Sequence, residues 1–94
     1  MFLHITSARH IRDYLVEVTF NDGKQGIADL SSALRGPVFE PLKAVAAFLR
    51  FQLDPELETI VWPNGADLAP EYVYFQAFKD DAALAPQFRA WGYL

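Results

Sequence analysis

The 94-residue sequence contains no cysteine, which excludes disulfide frameworks, thiol nucleophiles, zinc knuckles and iron–sulfur ligation together. Positive charge is also scarce. Eight Lys and Arg stand against twelve Asp and Glu, a formal net charge of −4. Phosphate contacts need clustered cations, and Lys43, Arg50 and Lys79 are scattered, so no direct nucleic-acid binding is expected. No apolar run approaches the ~20 residues that span a bilayer, and Met1–Thr6 alternates instead of forming a signal-peptide core. The expectation is a cytoplasmic protein with no membrane contact. A phosphate-cradling glycine loop is missing too, because Gly23, Gly26, Gly36 and Gly65 each have a local structural reason.

Apolar material is plentiful. Hydrophobic residues make up 52% of the chain and include eight Phe, four Tyr and two Trp, too many for a disordered tail. The length suits one modest core, so residues 1–94 are read as a single domain, without repeat or linker. The first residues, Phe2 to Ser7, alternate loosely and predict a strand that breaks at Ala8-Arg9-His10. Between Arg12 and Phe20 the period is two: Tyr14, Val16, Val18 and Phe20 share one face of a half-buried strand. Asn21-Asp22-Gly23 predicts a hairpin turn, and Lys24–Leu30 the returning strand, with Gly26 weakening it or marking a bulge.

Ser31–Arg35 suits one helical turn that Gly36-Pro37 ends. Leu42, Val45, Ala46 and Leu49 then recur at helical spacing, with Pro41 in the first turn and Phe48 beside the stripe. These features predict an amphipathic helix over Phe39–Arg50. Phe51–Leu53 and Thr59–Trp62 form a second hairpin across Asp54-Pro55-Glu56. Pro70 opens a helix running to Phe78, with Asp67 placed to cap it. Beyond Lys79, Asp80 or Asp81 caps a short helix interrupted by Pro86, and Phe88, Trp91 and Tyr93 are available to dock. The fold class is α+β: a small antiparallel sheet of hairpins, one helix packed on a face and a second, C-terminal helix.

Catalytic signatures are sparse. His4 and His10 lack the partners of a nucleophile triad, and with Asp13 they lack chelating spacing, so no metal, cofactor or catalytic residue is assigned. Asp54, Glu56 and Glu58 suit a solvated hairpin rim, and Asp29 suits a cap on the turn after its strand. The most distinctive stretch is Ile60-Val61-Trp62-Pro63-Asn64-Gly65-Ala66-Asp67-Leu68-Ala69-Pro70-Glu71. There Trp62 either closes a core edge while Asp67 caps, or Trp62, Asn64 and Asp67 frame a recognition surface on a rigid loop.

That stretch resembles the DUF2442 family, small bacterial domains of unknown function, as do Val18-Thr19-Phe20-Asn21-Asp22-Gly23 with Asp29-Leu30, and Phe39-Glu40-Pro41-Leu42 with Phe48. The blocks run from Tyr14 to Phe75 and leave residues 79–94 as a C-terminal extension. The resemblance implies a small α+β fold and transfers no catalytic residues. Some similar proteins carry a helix-turn-helix domain after this module, which this sequence is too short to hold. Others are encoded beside a small partner in arrangements like toxin–antitoxin pairs.

The expected function is a non-enzymatic interaction module, binding a protein partner or itself, with a homodimer possible, through surplus aromatics and a free sheet edge. It would be the partner-binding component of a toxin–antitoxin-like or regulatory pair. Two alternatives stay open. One is a small hydrolase using Asp29, Asp67, Glu58 or a histidine in a cleft. The other is a nucleic-acid-associated regulator acting through a partner that supplies the basic surface.

Overall fold

The computed structural model describes residues 2–94. Three strands, β1 (Ile5–Arg12), β2 (Leu15–Phe20) and β3 (Gln25–Asp29), pair antiparallel in chain order, with β2 in the middle. The alternation read in the sequence is real: Val16, Val18 and Phe20 are buried, and the residues between them only partly. β1 runs straight through Ala8-Arg9-His10, where a break was expected. Register shifts at Ile5/Ser7 and His10/Arg12 absorb its irregular pattern as bulges, and pairing with β2 overrides local sequence. The chain reverses at Asp13, whose φ of 46° lies in the left-handed region that Asp tolerates, so the central strand starts at Leu15 and not at Arg12.

The Asn21–Gly23 turn forms as expected. Gly23 takes φ 87°, and Asp22 Oδ1 accepts the Lys24 amide at 2.9 Å. Asn21 ties down the N-terminal segment, accepting from His4 N–H at 2.9 Å and donating to the Phe2 carbonyl at 2.7 Å. Gly26 is not a bulge. Its pairing with Val18 falls in unbroken register, and a Cβ there would lie 2.7 Å from Phe78 Cε1, so the glycine makes room for a ring packed against the sheet.

The predicted helix over Phe39–Arg50 is replaced by three short pieces: α1 (Gly36–Phe39), a 3₁₀ turn (Glu40–Lys43) and α2 (Val45–Phe48). Gly36-Pro37 opens this segment instead of ending the turn before it, with Pro37 in the first turn of α1. The break falls at Ala44, extended at φ −70°, ψ 117°. An extended residue resets the helical screw, so the expected stripe no longer shares a face. Leu42 and Phe48 are buried, whereas Val45 and Leu49 are 39% and 46% exposed and Ala46 is exposed.

The second hairpin is present as β4 (Gln52–Asp54) and β5 (Thr59–Val61). Asp54 Oδ1 accepts the amides of Glu56 and Leu57, both at 2.8 Å, and Glu58 closes the turn at φ 55°. After Pro63–Gly65 the chain folds back along β5, with a bridge between Val61 and Asp67. Helix α3 (Pro70–Phe78) then packs across β3, and Val73 and Tyr74 are buried. Asp67 does not cap it. The residue at that cap is Ala69, no side chain bonds there, and Asp67 is held two residues upstream by the bridge.

Asp81, of the two candidates, caps the turn Ala82–Leu84 by accepting from Ala83 N–H at 3.0 Å. Pro86 lies in the first turn of α4 (Ala85–Trp91) and starts that helix instead of interrupting it. Gly92 at φ 87° ends it, and Tyr93 N–H reaches the Phe88 carbonyl at 2.9 Å.

The architecture is α+β, as expected. Every aromatic residue except Phe2 joins one of two clusters. Tyr14, Phe39, Phe48, Phe51 and Trp62 form one. Phe20, Tyr72, Tyr74, Phe75, Phe78, Phe88, Trp91 and Tyr93 form the other. Among the described residues, the large apolar side chains left outside are, Phe2 apart, aliphatic. Among the described residues, no helix is long and apolar enough to cross a membrane.

Candidate recognition surface

The turn Pro63–Gly65 follows β5 because Pro63 cannot extend the ladder and Gly65 supplies φ 90°. The three residues singled out at this corner have different surroundings. Trp62 is 3% exposed, and its indole N–H donates to the Phe48 carbonyl at 2.9 Å, tying β5 to the broken helical segment. Asn64 is exposed and does the same from outside: its amide donates to the Val38 carbonyl at 2.8 Å, and its Oδ1 accepts from Ala66 N–H at 3.1 Å. Asp67 is exposed on the returning strand. Two shallow hollows flank Pro63. One, of about 160 Å³, is lined by Pro41, Leu42, Ala47, Arg50, Pro63 and Asn64. The other, of about 240 Å³, is lined by Gln52, Val61, Trp62 and Pro63. On the segment that forms the first wall, Val38, Val45 and Leu49 are exposed by 47%, 39% and 46%.

Apart from Asp67, the titratable candidates lie elsewhere and, the His4–Glu58 pair excepted, away from one another. Asp29 accepts from Ser31 N–H at 3.0 Å, as the cap expected of it. That hydrogen bond, aided by the Ser31 hydroxyl and opposed by burial, holds its carboxyl below the ordinary value. His4 Nδ1 meets Glu58 Oε2 at 3.1 Å, a half-exposed pair that lines none of the hollows described here. His10 Nε2 lies 2.8 Å from the Asp13 carbonyl, and its ring packs edge-on against Phe48. Among the described residues no three His, Asp or Glu side chains gather as metal ligands would.

One arrangement went unread in the sequence. Tyr74 donates to Asp22 Oδ2 at 2.9 Å across 52 positions of chain. Around them Leu3, Leu84, Gln87 and Trp91 complete a hollow of about 210 Å³. Burial, then the Asp22 bond and the charges of Asp22 and Asp81, push the Tyr74 hydroxyl up to about 12. Neither the Asn-Asp-Gly turn nor the helix carries a local signal that the two meet.

Against known families, the profile described as a protein of unknown function, DUF2442, matches residues 5–79. The chain belongs to the DUF2442 family. The match covers the three blocks noted in the sequence and leaves Asp80–Leu94 of this DUF2442 chain outside it. No curated protein matches. The fold is similar to a crystal structure from Nitrosomonas europaea named as a putative DNA-binding protein, with a TM-score of 0.72 and 21% identity. The likeness covers 84% of the DUF2442 chain and 51% of the other, so this chain spans about half of that protein's length.

Proposed function

We propose that this DUF2442 chain is a cytoplasmic, non-enzymatic interaction module that docks on a protein partner, as half of a regulatory or toxin–antitoxin-like pair. The docking corner comprises Asn64 and Asp67, with Trp62 as its internal support. The observation that carries this reading is the exposure of Val38, Val45 and Leu49 on the segment walling the hollow beside Asn64. Three aliphatic side chains left in water on one short segment suit an apolar contact with a polar rim. Arg50 and Asn64 supply that rim. The sheet order also leaves β3 an edge strand, a second means of attachment and a route to a homodimer.

The hydrolase reading draws little support, since Asp29, Asp67 and the His4–Glu58 pair belong to different turns and strands. A role beside nucleic acid is kept in its indirect form. The Nitrosomonas protein of similar fold is named for DNA binding, but here the net charge of −4 asks a partner to supply the basic surface.

The test is co-purification with the product of the adjacent gene, together with light scattering of the chain alone. A Val45→Asp, Leu49→Asp double variant should abolish whichever association the wild type makes and leave the thermal midpoint within a few degrees, because both positions are exposed. A wild-type chain that stays monomeric and captures no such partner rules the reading out.

A further inference from the structure

We propose that the hollow framed by Asp22, Tyr74 and Trp91 receives an arginine side chain of a protein partner. The hollow's chemistry is that of a guanidinium site. Asp22 is exposed at its edge and, among the described residues, has no ionic partner. Its carboxylate spends one lone pair on the Lys24 amide and one on the Tyr74 hydroxyl, at 2.9 Å each. A carboxylate accepts about four hydrogen bonds, so capacity remains for a forked donor.

Lys24, two positions along the chain, does not use that capacity. Lys24 Nζ sits 5.9 Å from the centre of the Phe78 ring and makes no ion pair with Asp22. The remaining walls suit the rest of an arginine. Leu3 and Leu84 offer apolar surface for the three-carbon stem, and the half-buried Trp91, which also lines the hollow, is an aromatic partner of the kind a guanidinium packs against. Gln87 adds a carbonyl acceptor. Asp81 reinforces the negative potential, since its charge reaches Tyr74 and helps to hold that hydroxyl protonated. The Tyr74 proton in turn fixes the Asp22 carboxylate, so the site is organised before a ligand arrives. Arginine suits it better than lysine because it stacks on an aromatic ring and forks toward a carboxylate at once.

The inference rests on the interaction reading above only in making the ligand part of a protein, and it uses a different face. The experiment titrates the full isotope-labelled chain with N-acetyl-arginine amide and, separately, with N-acetyl-citrulline amide, its neutral near-isostere. The probe is the Trp91 indole N–H resonance. A saturable shift is expected with the arginine compound, about tenfold or more weaker with citrulline and weaker again in high salt. Asp22→Asn keeps an acceptor for Lys24 N–H and should lose about tenfold or more in affinity with its amide spectrum otherwise preserved. Equal responses to the two compounds, or none up to about 50 mM, overturn the proposal without any variant. The corner variant at Val45 and Leu49 should leave the arginine response unchanged. Loss of one activity therefore does not imply loss of the other.

Discussion

The two aromatic clusters are built by different means. Around Tyr74 and Phe88, α3 lays its rings over the sheet, α4 packs its own rings on those of α3, and Gly26 clears the space for Phe78. Around Phe48 and Trp62 there is no long element. Short turns are fastened by polar bonds from large side chains: Trp62 to the Phe48 carbonyl, Asn64 to the Val38 carbonyl and the Tyr14 hydroxyl to the Lys43 carbonyl. The first cluster is held by periodic packing. The second is held by a few anchors, each satisfying a backbone group that a longer helix would have satisfied itself. Where anchors replace periodicity, apolar residues of the intervening turns are free to face outward. Val38, Val45 and Leu49 do so.

Deleting a ring at the centre of each cluster is the strongest challenge to that contrast. Phe88→Ala should cost about 3–5 kcal/mol, since the ring is fully buried. Trp62→Ala should lie at the upper end of the same about 3–5 kcal/mol range, because it also takes from the Phe48 carbonyl its shorter hydrogen bond, leaving only the Phe51 N–H at 3.4 Å. Urea denaturation measures both. Phe88 lies beyond the family match, and a loss under about 1 kcal/mol there would mark residues 79–94 as a loose appendage instead of part of one cooperative domain.

Alkaline pH distinguishes the clusters more gently. Tyr74 belongs only to the cluster around Phe88, and its hydroxyl is pushed up to about 12 from an ordinary value of 10.0. The unfolded chain therefore ionises first. The stabilisation is complete below pH about 10, declines between about 10 and 12 as only the unfolded state releases the proton, and is gone above the folded value. A separation of about two units corresponds to about 2–3 kcal/mol over that window. Urea melts of the wild type and Tyr74→Phe should show the alkaline decline reduced in the variant by this amount. Equal slopes would mean that the hydroxyl is not held by burial and Asp22.

The same contrast explains what was legible in the sequence. Val16, Val18 and Phe20 were readable because a strand with one buried face writes its burial at period two, and Gly23 marks the turn that sets the register. Pro70 marked the start of α3 for a similarly local reason. The misreading at 39–50 arose because helical spacing cannot reveal that Ala44 is extended, a state imposed by what surrounds it. Asp67 was misplaced as a cap because its bridge to Val61 depends on a reversal at Gly65. At the candidate corner the residue types were visible, but not that Trp62 faces inward. The Asp22–Tyr74 contact was invisible, because it joins a turn to a helix through tertiary packing alone.

The smallest effect decides whether that misreading is understood. Val45 opens α2 immediately after the extended Ala44 and is 39% exposed, whereas Leu42, three residues earlier, is 3% exposed. On a continuous amphipathic helix the two would be stripe neighbours, and Val45→Ala would lose more than about 1 kcal/mol of burial. In the broken segment the lost contact is small, and alanine's better helix propensity offsets part of it, so Val45→Ala should change stability by no more than about 0.5 kcal/mol. Leu42→Ala, measured alongside by urea denaturation, should still cost about 2–5 kcal/mol. A comparable loss at both positions would restore the continuous stripe and remove Val45 from the docking corner. A loss at Leu42 alone places the discontinuity at Ala44, between them.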